Sequence, residues 1–154
     1  MTKILAPGTV APDFALPNQF GQTVRLGDFR GLKPVALVFF PLAFSRTCEG
    51  ELGVLRDNIE IFTESGSELL AVSIDSKHAL RAWAEEQRYA FTLLSDFWPH
   101  GEVARRYDAF LEERGHAARA TFVIGADGTI RASFVSAPGE ARSLEQYREA
   151  LAAG

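Results

Sequence analysis

A run of six apolar residues, 35–40 (VALVFF), constrains the fold of this chain more than any other stretch. The run is short for a helix and rich in β-branched and aromatic residues, so it predicts a strand buried on both faces. Pro41 ends the run, and a helical pattern begins after a short loop. The apolar positions of that pattern are Leu52, Leu55, Ile59 and Phe62. Their spacings of three and four residues predict a single helix with one buried face.

The only cysteine of the chain, Cys48, lies where this helical pattern begins. A helix N-terminus carries unpaired backbone N–H groups and about half a positive charge, which together favour an anion. Because the thiolate is the reactive form of cysteine, this position favours thiolate chemistry. An inert core residue is the alternative interpretation, since free cysteine is among the most buried residue types.

The remaining sequence alternates strand and helix patterns and ends on a hairpin and a helix. The other predicted strands are residues 11–16, 23–26, 68–74, 91–94, 120–124 and 129–134. Asp127-Gly128 predicts the turn of the last hairpin. Further helices are predicted after Asp75-Ser76, over 103–107 and from Ser143, which with Gln146 forms a capping-box pattern. This order predicts an α/β fold in one domain over residues 1–154, with a mixed central sheet flanked by helices and an N-terminal β-hairpin.

Composition and charge narrow the class of function. A net charge of −4 argues against nucleic acid and anionic membrane as partners. No apolar stretch approaches the roughly 20 residues of a membrane helix, and no signal peptide is evident. A lone cysteine cannot form an internal disulfide, so a cytoplasmic location is expected. The three histidines, His78, His100 and His116, lack metal-ligand spacing, so no metal or cofactor is expected.

The residues before Cys48 resemble the active-site signature of the peroxiredoxins, which is proline, three residues, threonine or serine, two residues, cysteine. Pro41, Ser45 and Cys48 fill these positions. The longer run FFPLAFSRTCEGEL and the loop FWPHG resemble the AhpE-type one-cysteine branch of that family. The resemblance covers nearly the whole chain. Its further segments are 11–14, 73–76 with Trp83, 94–96 with Val103, Ala104 and Tyr107, and 119–124.

This resemblance implies a thioredoxin-like fold and a thiol-dependent peroxidase acting on hydrogen peroxide, organic hydroperoxides or peroxynitrite. Cys48 is then the nucleophile that becomes a sulfenic acid. By the same resemblance, Arg119 supplies a guanidinium, Ser45 supplies a hydroxyl, and Pro41 covers the sulfur. From the residues alone, Arg119 would be interpreted as a surface arginine in a weak ion pair, Ser45 as a helix N-cap and Pro41 as a strand terminator.

A single cysteine also determines how the sulfenic acid can be reduced. The reductant must come from outside the chain, as a small thiol or a glutaredoxin- or thioredoxin-like protein. The resemblance implies mycothiol with a mycoredoxin, and a homodimer that would use the aromatic stretches 39–44 and 97–99. A thiol–disulfide oxidoreductase would need a Cys-x-x-Cys pair, which this chain lacks. A peroxide sensor or interaction protein, switched by oxidation of Cys48, is the alternative function.

Some positions depart from the family pattern or carry a second interpretation. Asp108 stands where glycine is usual after the tyrosine, and Gly125 stands where aspartate is usual after the strand. These two departures place the local turn geometry in question rather than the chemistry. Glu49 and Glu51, in the first turn after Cys48, are interpreted as compensation of the helix dipole. Trp98 is either an exposed residue at an interface or a buried loop anchor.

Overall fold

The computed structural model describes residues 3–154 as a central β-sheet with helices on both faces. The strands are β1 (Ala15–Pro17), β2 (Thr23–Arg25), β3 (Val35–Phe39), β4 (Glu68–Ser73), β5 (Thr92–Ser95), β6 (Phe110–Leu111), β7 (His116–Ala117), β8 (Arg119–Ile124) and β9 (Ile130–Ser136). The helices are α1 (Arg46–Asp57), α2 (Glu60–Glu64), α3 (Lys77–Gln87), α4 (Glu102–Arg106) and α5 (Leu144–Ala152). A short 3-10 helix covers Leu26–Phe29.

The central sheet is mixed, as the sequence predicts, with strand order β5-β4-β3-β8-β9. Strands β3, β4 and β5 are parallel, while β8 runs antiparallel to β3 and β9 antiparallel to β8. Strands β1 and β2 form the expected N-terminal hairpin, in which Ala15 pairs with Arg25. The order places β3 at the centre of the sheet, so the chain that leaves β3 towards Cys48 starts from its most buried strand.

Each face of β3 contributes to a separate apolar core. Ala36, Val38 and Phe40 point into the core that α1, α3 and α5 cover. Val35, Leu37 and Phe39 point into the opposite core, against Tyr107 and the N-terminal segment. All six side chains are at most 1% exposed, which confirms the strand buried on both faces. Burial of one large apolar side chain contributes roughly 1.5–3 kcal/mol, so this strand fixes the position of the loop that follows it.

The helical pattern after Cys48 is two helices rather than one. Helix α1 ends at Asp57, and the Asn58 side chain donates a hydrogen bond to the carbonyl oxygen of Val54 at 2.8 Å. Asparagine competes with the helical backbone in this way, and here it coincides with the end of the helix. Ile59 is consequently 38% exposed, so the prediction that it shares the buried face is wrong. Phe62 is buried in the second helix, α2.

The predicted helix starts at Ser76 and Ser143 are confirmed. The Ser76 hydroxyl accepts a hydrogen bond from the Ala79 backbone N–H, and Ser143 forms a reciprocal capping box with Gln146. The β6–β7 hairpin and the 3-10 helix were not predicted, because segments of two to four residues are too short to show a period. Asp108 adopts a left-handed conformation with φ of 56°, which accounts for glycine being usual there. Over residues 3–154, none of the helices is long and apolar enough to cross a membrane.

Candidate active site

Cys48 is the third residue of α1, and its side chain is fully buried in the core beneath that helix. Ser45 occupies the N-cap position with an extended backbone, but its side chain makes no capping hydrogen bond. The Ser45 hydroxyl instead donates to the carbonyl oxygen of Leu42 at 2.9 Å. The predicted placement of the thiol at a helix N-terminus is therefore confirmed, while side-chain capping by Ser45 is not observed.

Arg119 is the first residue of β8 and is only 3% exposed. Its Nη1 donates a hydrogen bond to the Cys48 Sγ at 3.3 Å, across 71 residues of sequence. Its Nε donates to the carbonyl oxygen of Pro138 at 2.8 Å, which fixes the plane of the guanidinium. The interpretation of Arg119 as a surface arginine is wrong, and the expected partnership of Arg119 with Cys48 is present in the structure.

A buried carboxylate, Glu51, holds this arginine in place. Arg119 Nη1 lies 3.2 Å from Glu51 Oε1, and Arg142 Nη2 lies 2.7 Å from the same oxygen. Both the backbone N–H and the Nε of Arg142 donate to Glu51 Oε2, and Arg142 Nη1 donates to the hydroxyl of Thr121. Glu51 and Arg142 have no exposed side-chain area. The two ends of the carboxylate are thus saturated by donors from two arginines.

The interpretation of Glu51 as compensation of the helix dipole is wrong. Its carboxylate points into the core, where it pairs with buried arginines. A signal was available in the sequence, because residues three apart share a helix face and Glu51 follows Cys48 by three. A charged residue on that otherwise apolar face needs a buried partner. Nothing in the local sequence pointed to Arg142, which precedes α5 in an irregular segment.

The pKa of Glu51 is lowered although the residue is buried. Burial alone would raise the pKa, but hydrogen bonds and the positive charge of Arg142, with a further contribution from Arg119, outweigh burial. Glu51 therefore remains a carboxylate at neutral pH and gives Arg119 a fixed anionic anchor. Because Glu51 and Pro138 hold the Arg119 guanidinium on two sides, it needs little reorganisation to donate a hydrogen bond to the Cys48 sulfur.

We expect Glu51→Gln to destabilise the protein by about 3–5 kcal/mol, because the buried Arg142 charge loses its partner. Urea unfolding measures this loss. Glu85→Gln is the matched control, since it breaks an exposed pair with Arg81 and should cost less than about 1 kcal/mol. The Glu51 contribution is present above pH 4.5 and is lost as the pH falls through its lowered folded pKa. Wild type should therefore lose stability more steeply than Glu51→Gln in acid. If Glu51→Gln and Glu85→Gln lowered the free energy of unfolding equally at neutral pH, the result would contradict the buried network.

A cavity of about 500 Å³ opens beside the cysteine. The candidate residues Pro41, Ser45 and Arg119 all line it, together with Thr47, the neighbour of Cys48. Arg119 Nη2 makes no hydrogen bond to residues 3–154 and is not among the fully buried unpaired polar atoms, so it keeps contact with solvent. The arrangement presents a free donor next to a thiol, which suits a reaction that moves negative charge onto an oxygen.

The aromatic loops near residues 44 and 98 differ in burial from the rest of the aromatic core. Trp98 is 79% exposed and Phe97 is 53% exposed, so the interpretation of Trp98 as a buried anchor is wrong. Phe44, with φ of 68°, is about half exposed and packs one side against the Trp83 ring at 6.2 Å between centroids.

Within residues 3–154, no group of three or more histidine, cysteine, aspartate or glutamate side chains could hold a metal ion.

Comparisons with known proteins agree with this geometry. The model of the AhpC/TSA family matches residues 7–133. The chain is 45% identical over 150 residues to alkyl hydroperoxide reductase E of Mycobacterium tuberculosis. The alignment covers 97% of this chain and 98% of the relative. It is 35% identical over 141 residues to peroxiredoxin Bcp of Escherichia coli, covering 84% and 85% of the two chains.

The solved structures place the fold in the same group. The crystal structure of peroxidoxin BcpB from Mycobacterium tuberculosis matches with a TM-score of 0.82 at 28% identity, over 97% of this chain and 96% of that chain. The match confirms the expected thioredoxin-like fold, with its mixed sheet and flanking helices. Taken with the single cysteine at the start of α1, these similarities show that the chain belongs to the AhpC/TSA family of peroxiredoxins, which are thiol-dependent peroxidases.

Proposed function

We propose that Cys48 is the peroxidatic nucleophile of a one-cysteine peroxidase and that Arg119 is its principal donor. The observation that carries this proposal is the 3.3 Å hydrogen bond from Arg119 Nη1 to Cys48 Sγ. The Arg119 guanidinium and the N-terminus of α1 both bring positive charge to the sulfur, where it can stabilise negative charge during the reaction. The substrates are hydrogen peroxide, organic hydroperoxides or peroxynitrite, each of which offers a weak O–O bond to a sulfur nucleophile.

The reaction moves one oxygen from the peroxide to the sulfur. The Cys48 thiolate attacks one peroxide oxygen, an S–O bond forms and the O–O bond breaks. The other oxygen leaves with the electron pair of the O–O bond and becomes water or an alcohol after it takes up a proton. The sulfur is oxidised to a sulfenic acid while the peroxide is reduced. Arg119 Nη1 contacts the sulfur and Nη2 is free, so one guanidinium can donate to both atoms that exchange charge.

Ser45 and Pro41 complete the proposed site. With its proton donated to Leu42, the Ser45 oxygen remains free to accept a hydrogen bond from a peroxide O–H. Pro41 is buried at the end of the strand and lines the cavity, where it shields the sulfur from water. Because Cys48 has no exposed area, side chains on the cavity floor must move for a peroxide to reach the sulfur.

The proposal includes an external reductant. The chain has one cysteine, so no resolving cysteine can form an intramolecular disulfide. A small thiol forms a mixed disulfide with Cys48, and a second thiol or a glutaredoxin- or thioredoxin-like protein then releases it. Mycothiol with a mycoredoxin is the pair that the resemblance implies, and it is one thiol system of this kind.

One equivalent of peroxide should add one oxygen to Cys48, and added thiol should convert that species to a mixed disulfide. Mass spectrometry of the intact protein follows both steps. Steady-state peroxide consumption should require the thiol, whereas a sensor would react once and stop. Excess peroxide without thiol should drive Cys48 to the sulfinic form and halt turnover. Sustained turnover in the absence of any thiol would refute the scheme.

A homodimer and a cytoplasmic location also belong to this proposal. The exposed aromatic residues Phe44, Phe97 and Trp98 offer apolar surface that a second copy could cover, and small symmetric dimers are the commonest oligomers. Light scattering should give twice the mass of 16.9 kDa, and a monomer at high concentration would count against the dimer. A single reduced thiol suits a reducing compartment, which cell fractionation can test.

A further inference from the structure

The cavity beside Cys48 is positively charged although the chain as a whole is negative. The net charge is −4, yet the cavity is lined by the cationic side chains Arg46, Arg114 and Arg119 and by His116. None of the described residues that line it is acidic. Arg46 and Thr47 also begin α1, so the partial positive charge of the helix N-terminus lies on the same wall.

Among residues 3–154, the two outer arginines of the cavity, Arg46 and Arg114, have no partner that would neutralise them. Arg46 and Arg114 are exposed, and neither guanidinium forms an ion pair or a side-chain hydrogen bond with residues 3–154. Arg114 lies on the turn between β6 and β7, whose neighbouring Glu112 is paired with Arg105 instead. His116 lines the cavity, and its Nδ1 lies 3.0 Å from the Ala117 carbonyl oxygen. Cations held around one cavity without acidic partners favour an anionic occupant.

The cavity has room for an occupant larger than hydrogen peroxide. Its volume of about 500 Å³ is within the range of small-molecule sites, about 300–1,000 Å³. A thiol that reduces a sulfenic acid reacts as a thiolate, which is itself an anion. A thiol that also carries carboxylates would therefore be favoured twice, once at its reacting atom and once at its carboxylates.

We propose that this cavity binds an anionic, carboxylate-bearing low-molecular-weight thiol, and that Arg46, Arg114 and His116 are its specificity-determining residues. The inference rests on the proposed function and narrows its external thiol to one chemical class. A thiol without carboxylates is then a poorer reductant than a carboxylate-bearing one of equal thiol reactivity. Arg119 remains the donor to the sulfur, and the outer cations hold the part of the thiol that does not react.

The step that the site would promote is the first reduction of the sulfenic acid. The thiolate sulfur attacks the Cys48 sulfur, an S–S bond forms and the S–O bond breaks. Hydroxide leaves with the electron pair of that bond and becomes water when it takes up a proton. The incoming thiol is oxidised to the disulfide level as the Cys48 sulfur is reduced, so no further oxidant or reductant is needed in this step.

The test compares 3-mercaptopropionate with its methyl ester, which differ in the carboxylate. The rate of mixed-disulfide formation on the Cys48 sulfenic acid is measured by quenched flow and mass spectrometry and is expressed per thiolate. Wild type should favour 3-mercaptopropionate by about tenfold or more, the range of electrostatic rate enhancement. This preference should fall as salt is raised from about 0.01 M to about 1 M, where the screening length shrinks from roughly 30 Å to 3 Å.

Arg114→Gln and the double substitution Arg46→Gln/Arg114→Gln should reduce the preference in two steps. Arg148→Gln is the matched control, because this exposed arginine on α5 removes the same charge away from the cavity and should leave the ratio unchanged. Circular dichroism checks that each variant is folded. A wild-type ratio near one overturns the inference, as does a ratio that the cavity variants do not lower or that Arg148→Gln lowers equally.

The same mixed disulfide can also be formed without peroxide, from reduced protein and the symmetric disulfide of either thiol. This second measurement separates two failures. If no sulfenic acid forms with hydrogen peroxide, the proposed function fails, and the disulfide reaction still reports whether the cavity prefers a carboxylate. If the sulfenic acid forms but neither reaction prefers the charged compound, the anionic site is wrong and the peroxidase stands.

Discussion

Cys48→Ser should consume no peroxide above the uncatalysed rate while it folds as wild type does. The serine hydroxyl is a far weaker nucleophile at neutral pH than a thiolate, and the chain has no other thiol to replace it. The change is nearly isosteric and lies within the helix, so circular dichroism and urea unfolding should show a folded protein with a modest loss of stability. The measurement is peroxide consumption with a supplied thiol.

The stability of the variant must be checked as a control, because Cys48 also belongs to the apolar core cluster that contains Leu52 and Phe40. Inactivity of a variant that unfolds at low urea would say nothing about chemistry, so activity is compared only where the protein is more than half folded. Thiol-dependent peroxide reduction that persists in folded Cys48→Ser would mean that the nucleophile lies elsewhere.

Arg119→Ala should slow sulfenic acid formation by about a hundredfold or more, the usual effect of losing one transition-state donor. The affected quantity is the second-order rate of the peroxide step, which stopped-flow fluorescence or quenched-flow mass spectrometry can follow in a single turnover. The substitution removes donors to both the sulfur and the cavity. The rate of Arg119→Lys is expected to lie between those of wild type and Arg119→Ala, because lysine keeps the charge but lacks the planar fork of donors.

Arg148→Ala is a suitable comparison, since it removes an exposed arginine far along the chain from the site. The stability of Arg119→Ala must be measured beside its rate, because Glu51 loses one of its two cationic partners. A single-turnover rate equal to that of wild type would show that the hydrogen bond to the sulfur is a structural contact without a catalytic role.

The fold was predictable where the signal is local. The burial of β3 on both faces follows from six consecutive apolar residues. The starts of α3 and α5 follow from serine caps whose hydroxyls accept hydrogen bonds from the backbone N–H three residues later. The break after Asp57 was missed because apolar spacing continues through Ile59 as if the helix did. Periodicity reports which side chains could share a face, whereas the asparagine side chain is associated with where the helix ends.

The candidate site was predictable as far as the family resemblance reaches, which includes Arg119 but not the residues that hold it. Pro41, Ser45 and Cys48 are close in sequence, but Arg142 meets Glu51 across 91 residues. No local pattern encodes such a contact, because it depends on how the segment before α5 returns across the sheet. The charge of the cavity was hidden for the same reason. Arg46 and Arg114 are ordinary surface arginines in sequence, and they acquire a shared environment only in the folded chain.

The antiparallel pairing of β8 with β3 bears on when, during synthesis of the chain, Cys48 can react with peroxide. Val38 pairs with Thr121, so the end of the strand that leads to the cysteine lies beside the start of the strand that carries the arginine. A growing chain that has reached residue 110 already contains the thiol and its helix, but Arg119 has not yet been made. With Arg119 in the role proposed above, the nascent polypeptide carries a thiol that lacks its donor, and we expect fast reaction with peroxide only after β8 has joined the sheet. We therefore expect unfinished chains to react with peroxide more slowly than the folded protein does.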